Sequence, residues 1–314
     1  MRDVVDEARF RLGSIYDDHI IISDQYDHFT ITKNDIKIVK HNNSSASRNS
    51  VIQKRGPSYE RLTILQRGLQ THESEHAMTI SFPGKDCPRQ RESDGYIFTH
   101  ARERDCRNAG LIFDHWFNFK NSTHETRSEK ARQIPFANKK SVAVWRGKNT
   151  GRGDVNHHNN KVSRPEFCDH FHDSKIIDSK IVTHYGSEHA LKMYQQAAEY
   201  KYLIFLEGND TASSVYWTFH NQNITLMPEK RDWCSAWDMY LKPWVHYVPF
   251  NFTSTNGDVS TDIEEKIQWC ESNPQECLNI IQQANQLSDD MLCEDKEMSV
   301  LREMISKYNK HILI

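Results

Sequence analysis

Tyr200-Lys201-Tyr202-Leu203-Ile204-Phe205-Leu206-Glu207-Gly208-Asn209-Asp210-Thr211-Ala212-Ser213-Ser214-Val215-Tyr216-Trp217 is the stretch on which the fold turns. From Tyr202 to Leu206 it is apolar without a break. Such a strand is buried on both faces, the habit of parallel sheets covered by helices. Glu207 to Asp210 turns the chain, and a helix is expected around Ala212 to Phe219. Upstream, Ser187 is placed to cap a helix carrying Leu191, Tyr194 and Ala198 on one stripe. Downstream, Ile224 to Met227 is the next strand. Further out, Lys140 to Trp145 is a short apolar strand, Arg146 to Lys161 a basic Gly/Asn loop, and Lys180 to His184 another strand. Strands alternating with helices predict a parallel α/β sheet.

The flanks are less uniform. Phe29, Ile31, Ile36 and Ile38 alternate with polar residues around Lys33-Asn34, which predicts a β-hairpin. Ser58 to Gln70 places Leu62, Leu65 and Leu69 on one helical face. Ala77 to Phe82 and Gly95 to Thr99 are β-like, and His41 to Gly56 is loop-like. The tail is helical: Thr261 with Glu264 forms a capping box, Asn273-Pro274 opens a second helix, and a third is expected near Asp289 to Tyr308.

The chain has 314 residues, comfortable for two domains because single cores stop growing at roughly 250–300 residues. A net charge of -3 gives no global drive onto nucleic acid or an anionic membrane. No run approaches the length of a membrane span. The N-terminus has no continuous apolar stretch, so a signal peptide is not expected and the chain reads as soluble and cytoplasmic. Seven cysteines without a CxxC pair point to reduced thiols. The sequons at Asn121 and Asn223 then read as chance matches.

Four segments carry chemistry. Trp145-Arg146-Gly147-Lys148-Asn149-Thr150 follows a strand, where ligands bind in open α/β sheets. Arg146 and Lys148 supply charge, and Gly147 lets backbone approach a phosphate. By itself the segment reads equally as a solvated basic loop. Glu207 to Ser214 joins a buried strand to a helix start, which suits an anion, with Thr211, Ser213 and Ser214 as hydroxyl donors; an ordinary cap by Asp210 or Thr211 is the plain alternative. Leu241 to Pro249 is dense in aromatics and has no assigned role. Gly84-Lys85-Asp86-Cys87-Pro88 ends a strand with a carboxylate of the general-base type, but chemistry alone does not prefer Asp86 to Asp94 or Asp114. His157, His158, Cys168, His170 and His172 fit no metal-ligand spacing, so no metal site is expected.

In this order the four segments resemble glycosyltransferase family 90, roughly from Ala77 to Phe250. The EGND turn is similar to that of LpsA-like members, and KPWVHY to that of the animal protein O-glucosyltransferases. Trp145 to Gly151 resembles the family's Arg-Gly-x-x-Thr loop, Arg164 in Ser163-Arg164-Pro165 its second arginine, and Asp86 its catalytic base. The resemblance implies a GT-B fold: two Rossmann-like domains facing a central cleft, with C-terminal helices crossing back to the N-terminal domain. The corresponding division is an acceptor-side domain over residues 1–138, a UDP-sugar domain over 139–260 and closing helices over 261–314. It implies an inverting transfer of xylose or glucose from a UDP-sugar to a glycan or glycoprotein hydroxyl, without metal or other cofactor. Xylose is preferred over glucose on likeness to viral members.

On this reading Asp86 is the base. The donor is held by Arg146, Gly147, Lys148, Thr150, Arg164, Gly208, Asn209, Thr211, Ala212, Ser213 and Ser214. Asp114, His115 and Trp116 stand where relatives have an acceptor-side aromatic motif; a core Trp with a capping Asp is the alternative. Relatives carry Arg or Lys where this chain has Ser214, Val215 and Tyr216, which leaves open a catalytically degenerate nucleotide- or glycan-binding module of the same fold.

Overall fold

Five parallel strands organise the second half of the chain: β1 (Lys140–Gly147), β2 (Ile177–Ile181), β3 (Tyr200–Ile204), β4 (Ile224–Pro228) and β5 (Val248–Phe250). Their spatial order is β5-β4-β3-β1-β2, every pair parallel. The computed structural model describes residues 3–17, 20–40, 56–71, 77–83, 95–113, 130–151, 163–183, 192–255 and 258–313. The chain is mixed α/β and divides into two units. One comprises Met1–Asn118, Trp233–Met239 and Asp290–Ile314; the other comprises Phe119–Asp232 and Tyr240–Asp289.

β3 is central for the reason its composition suggests. Tyr202, Leu203 and Ile204 are buried, and so are Phe205 and Leu206 beyond the strand's end. The core on this sheet gathers Ala143, Trp145, Phe167, Tyr202, Leu226, Val248 and Phe250, closed by Ile263, Ile267, Ile280 and Ile281 from the following helices. Asn223 is buried and donates to the Ala197 carbonyl at 3.1 Å, so its sequon is no glycan acceptor in this fold.

Five local expectations change. The helix before β3 is Met193–Glu199 with Lys192 at its N-cap, not a helix capped by Ser187. The edge strand is Ile177–Ile181, not Lys180 to His184. An edge strand has fewer neighbours, so Ile177 and Ser179 point inward while Asp178 and Lys180 do not, and no continuous apolar run marks it. The helix expected over Ala212 to Phe219 is a single turn, Val215–Thr218. Paired serines compete with the backbone, and Val, Tyr and Trp are weak helix formers. Thr261 is not an N-cap: it ends a hairpin strand and donates to the Asn251 carbonyl at 2.6 Å, while Asp262 stands at the cap of Ile263–Ser272. The helix from Pro274 runs to Met291, with Pro at its first position as expected. The chain breaks at Leu292-Cys293, and the last helix is Glu294–His311.

In the other unit the expected hairpin is present as Asp27–Ile31 against Ile36–Lys40, and Met78–Phe82 pairs antiparallel on its other side. The helix Gly56–Gln70 buries Leu62, Leu65 and Leu69 against this core, together with Leu301, Met304, Ile305 and Tyr308 of the last helix. Arg11 lies at the centre, fully buried. It donates to Glu297 at 2.7 and 2.8 Å and also pairs with Glu7. Two buried carboxylates and one guanidinium satisfy one another where a lone charge would be very costly. Trp233–Cys234 pairs antiparallel with Arg102–Glu103 in this unit, a contact far apart in sequence.

Candidate functional site

The strand order places a reversal between β1 and β3. From β1 the chain proceeds to β2 on one side, and from β3 to β4 on the other. Loops leaving the carboxyl ends of two such strands diverge, and in doubly wound sheets of this order ligands bind in the crevice between them. The described part of the loop after β1 is Lys148 to Gly151, and the loop after β3 runs from Phe205 to Ser214, with its turn at Glu207 to Asp210. The two motifs read from the sequence therefore meet at one end of the sheet.

They meet by direct contact. Gly151 has φ +75°, and a Cβ there would lie 2.3 Å from the Gly208 carbonyl oxygen. Its N–H donates to Asn209 Oδ1 at 2.9 Å. Arg164 joins the loops a second time. Its Nη1 donates to Thr150 Oγ1 at 2.7 Å and to the Lys148 carbonyl at 3.1 Å, and its Nη2 donates to the Leu206 carbonyl at 2.9 Å. The guanidinium lies over the Trp145 ring at 5.3 Å. That ring also leans on Gly147, where a Cβ would come within 2.4 Å of it. Burial pulls the Arg164 pKa down to about 10, countered by Asp210 and Glu207, so the group is a cation at neutral pH.

Arg146 is disposed differently. Its Nη2 pairs with Asp178 Oδ2 at 2.5 Å, and its Nη1 donates to the Asp178 carbonyl at 2.6 Å and to the Trp145 carbonyl at 2.8 Å. Asp178 sits opposite Val144 in the β1–β2 register, so the guanidinium lies back along the strand, short of its carboxyl end. Lys148 is exposed on the loop. Asn209 and Ser213 are exposed, whereas Gly208, Thr211 and Ala212 are buried. The amides of Thr150 and Gly208 are paired within their own loops, to the Lys148 and Asp210 carbonyls. A one-turn helix after Ser214 supplies little dipole, so any grip on an anion here rests on side chains and loop backbone.

Asp86, Asp114, His115 and Trp116 lie outside the described residues. Trp145 and Gly151 stand inside the motif read from the sequence but have no role assigned there, and Asp178 lies outside every motif. The Gly151 signal was present in the Thr150-Gly151 pair, but the pairing of Asp178 with Arg146 has none in a linear reading. The Leu241 to Pro249 segment leads into β5, which takes its Val248 and Pro249, so Leu241 to Tyr247 approaches the sheet from the amino end of that strand, away from the two loops. There Trp244 takes φ +62° and packs edge-on against Trp269 at 4.9 Å. His246 Nδ1 accepts the Lys242 N–H at 3.0 Å, and burial with Lys242 nearby pulls its pKa down to about 4. His220 contacts both Ser288 Oγ (3.3 Å) and Asp289 (3.6 Å) through Nδ1. A Ser-His-Asp relay needs the two ring nitrogens on different partners, so this cluster is structural. Among the described residues no group of three His, Cys, Asp or Glu is placed to hold a metal, and no helix is long and apolar enough to cross a membrane.

A family model described as Glycosyl transferase family 90 matches residues 117–313. O-glucosyltransferase LpsA of Dichelobacter nodosus is 28% identical over 183 residues, 56% of this chain and 52% of LpsA. Uncharacterized protein 027R of Frog virus 3 (isolate Goorha) is 26% identical over 211 residues, 57% of this chain and 21% of the viral protein. Uncharacterized protein 035R of Invertebrate iridescent virus 3 is 26% identical over 257 residues, 74% of this chain and 20% of the viral protein. The chain thus spans about half the length of LpsA and about a fifth of these viral relatives.

Proposed function

The chain belongs to glycosyl transferase family 90, and we propose that it is an inverting, metal-independent glycosyltransferase acting from a UDP-sugar on a hydroxyl of a glycan or glycoprotein. The observation that supports this reading is the meeting of the Lys148–Gly151 and Phe205–Ser214 loops at the reversal point of the parallel sheet. The fold that goes with it is GT-B, with the donor in the unit built on β1 to β5. Gly147, Lys148, Thr150, Arg164 and the Gly208 to Ser214 segment form the donor side, with Arg146 anchored to Asp178 at the base of the loop. Asp114, His115 and Trp116 belong to the acceptor side.

The chemistry is a single displacement. The acceptor oxygen attacks the anomeric carbon while Asp86 removes its proton. The bond from that carbon to the diphosphate oxygen breaks, and UDP leaves with the electron pair. An α-linked donor gives a β-linked product. Charge accumulates on the leaving diphosphate in the transition state, which is where fixed cations and donors lower the barrier. Xylose and glucose differ by one hydroxymethyl group; likeness to an O-glucosyltransferase supports glucose, so both donors belong in the test.

The deciding experiment measures UDP release from UDP-xylose and UDP-glucose, with and without glycan acceptors, in the presence of EDTA. Acceptor-stimulated release that survives EDTA is expected. A strict requirement for magnesium would contradict the metal-free mechanism. Nucleotide binding without any release would identify the degenerate binding module instead.

A further inference from the structure

The donor side is already assembled without a ligand. Arg164 is buried to 8% exposure and spends three donor contacts on protein acceptors: the Lys148 carbonyl, Thr150 Oγ1 and the Leu206 carbonyl. Two of these lie on the loop after β1 and one on the loop after β3. Asn209 crosses in the other direction, accepting the Gly151 N–H. Trp145, 4% exposed, offers its face to the guanidinium and its edge to Gly147. The ring therefore fixes both the height of Arg164 and the path of the backbone where the loop departs. Other charges in the neighbourhood are matched: Arg146 by Asp178, and Arg164 by Asp210 and Glu207 nearby. Lys148 remains exposed on the loop.

We propose that Trp145, Arg164 and Asn209 are positioning residues that lock the two loops into one rigid cradle before the donor arrives, and that they act on the diphosphate through those loops. This rests on the reading of the site as a UDP-sugar site and divides the labour within it. A guanidinium reaching three acceptors on two loops holds them at a fixed separation, which a lysine with one flexible ammonium does not reproduce. A cradle set in advance costs no reorganisation when charge develops on the leaving group.

The test is peptide-resolved hydrogen exchange on the ligand-free protein, followed by calorimetric titration with UDP. Asn209→Ala and Arg164→Lys are expected to speed exchange in the segments around Gly151 and Leu206–Gly208 by about fivefold for each hydrogen bond lost, and Trp145→Leu, which takes the ring from under the guanidinium, to speed it in the same segments. Exchange in β4 is expected to stay unchanged. Trp145→Phe, which keeps an aromatic face, is expected to restore protection. All three disruptive variants should then bind UDP more weakly. Asn209 is exposed, so Asn209→Ala keeps the test intact even where changes at the buried positions compromise folding. Wild-type exchange in the ligand-free Asn209→Ala and Arg164→Lys proteins, with UDP affinity reduced, would overturn the proposal and make both residues direct donor contacts. Failure of the wild-type protein to bind UDP would instead remove the UDP-sugar reading while the exchange result still decided whether the loops are locked.

Discussion

Gly151→Ala strikes the point where the two loops touch, and its cost follows from two separate terms. The first is conformational: Gly151 has φ +75°, and an L-residue held in the left-handed region costs about 1–2 kcal/mol. The second is steric. The new Cβ would stand 2.3 Å from the Gly208 carbonyl oxygen and 2.6 Å from its carbon, both backbone atoms. The loops must separate by roughly 1 Å to restore ordinary contact. Such a separation breaks the Gly151 N–H to Asn209 bond, for about 1 kcal/mol more. Together these amount to about 2–3 kcal/mol, or a fall in Tm of roughly 4–12 °C for a unit of this size. The assay is differential scanning calorimetry with and without UDP, beside two controls. Gly151→Asn recovers part of the conformational term, because asparagine tolerates this region, but keeps the clash. Gly208→Ala has no positive φ and meets only the Arg164 guanidinium at 3.1 Å and softer contacts, so it should be milder. A Gly151→Ala protein with wild-type melting and wild-type UDP affinity would refute the contact between the loops.

Asp86→Asn should keep UDP affinity and lose transfer by about a hundred- to ten-thousand-fold, the usual loss when a general base is removed; single-turnover rates beside calorimetry check both halves. Arg11→Met removes the guanidinium that bridges the buried Glu7 and Glu297 and should destabilise the first unit by about 3–5 kcal/mol in urea unfolding. Replacing all three by apolar residues should recover most of that loss. His246 has its pKa lowered to about 4 in the fold against an ordinary value of 6.5, so the unfolded chain takes up the proton first as pH falls. Its contribution is complete above pH 6.5 and is lost between 6.5 and about 4; melting curves across that window should slope less in His246→Asn, whose amide oxygen still accepts the Lys242 N–H.

What could be read without coordinates followed the range of the forces involved. The central strand announced itself because Tyr202 to Leu206 must be covered on both faces. The hairpin at Phe29 to Ile38 and the helix carrying Leu62, Leu65 and Leu69 showed the periods of 2 and 3.6 that follow from local backbone geometry. β2 begins three residues before the expected Lys180 to His184 because Asp178 and Ser179 interrupt its apolar residues, which an edge position tolerates. The helix expected over Ala212 to Phe219 stops at one turn because Ser213 and Ser214 compete with the backbone and Val215, Tyr216 and Trp217 are weak helix formers.

The sequence by itself determined the parallel α/β class, the succession of strands and helices around Tyr202 to Leu206, and the segments that carry the family's pattern, since these depend on neighbouring residues and on composition. Only the tertiary structure decided the strand order, the touching of Gly151 and Gly208, the reach of Arg164 from a helix to two loops, the capture of Arg146 by Asp178, and the return of Trp233–Cys234 to pair with Arg102–Glu103. Each of these joins groups separated in the chain, where the partner is chosen by which arrangement satisfies buried charge, hydrogen bonds and packing together, and no local propensity encodes that choice.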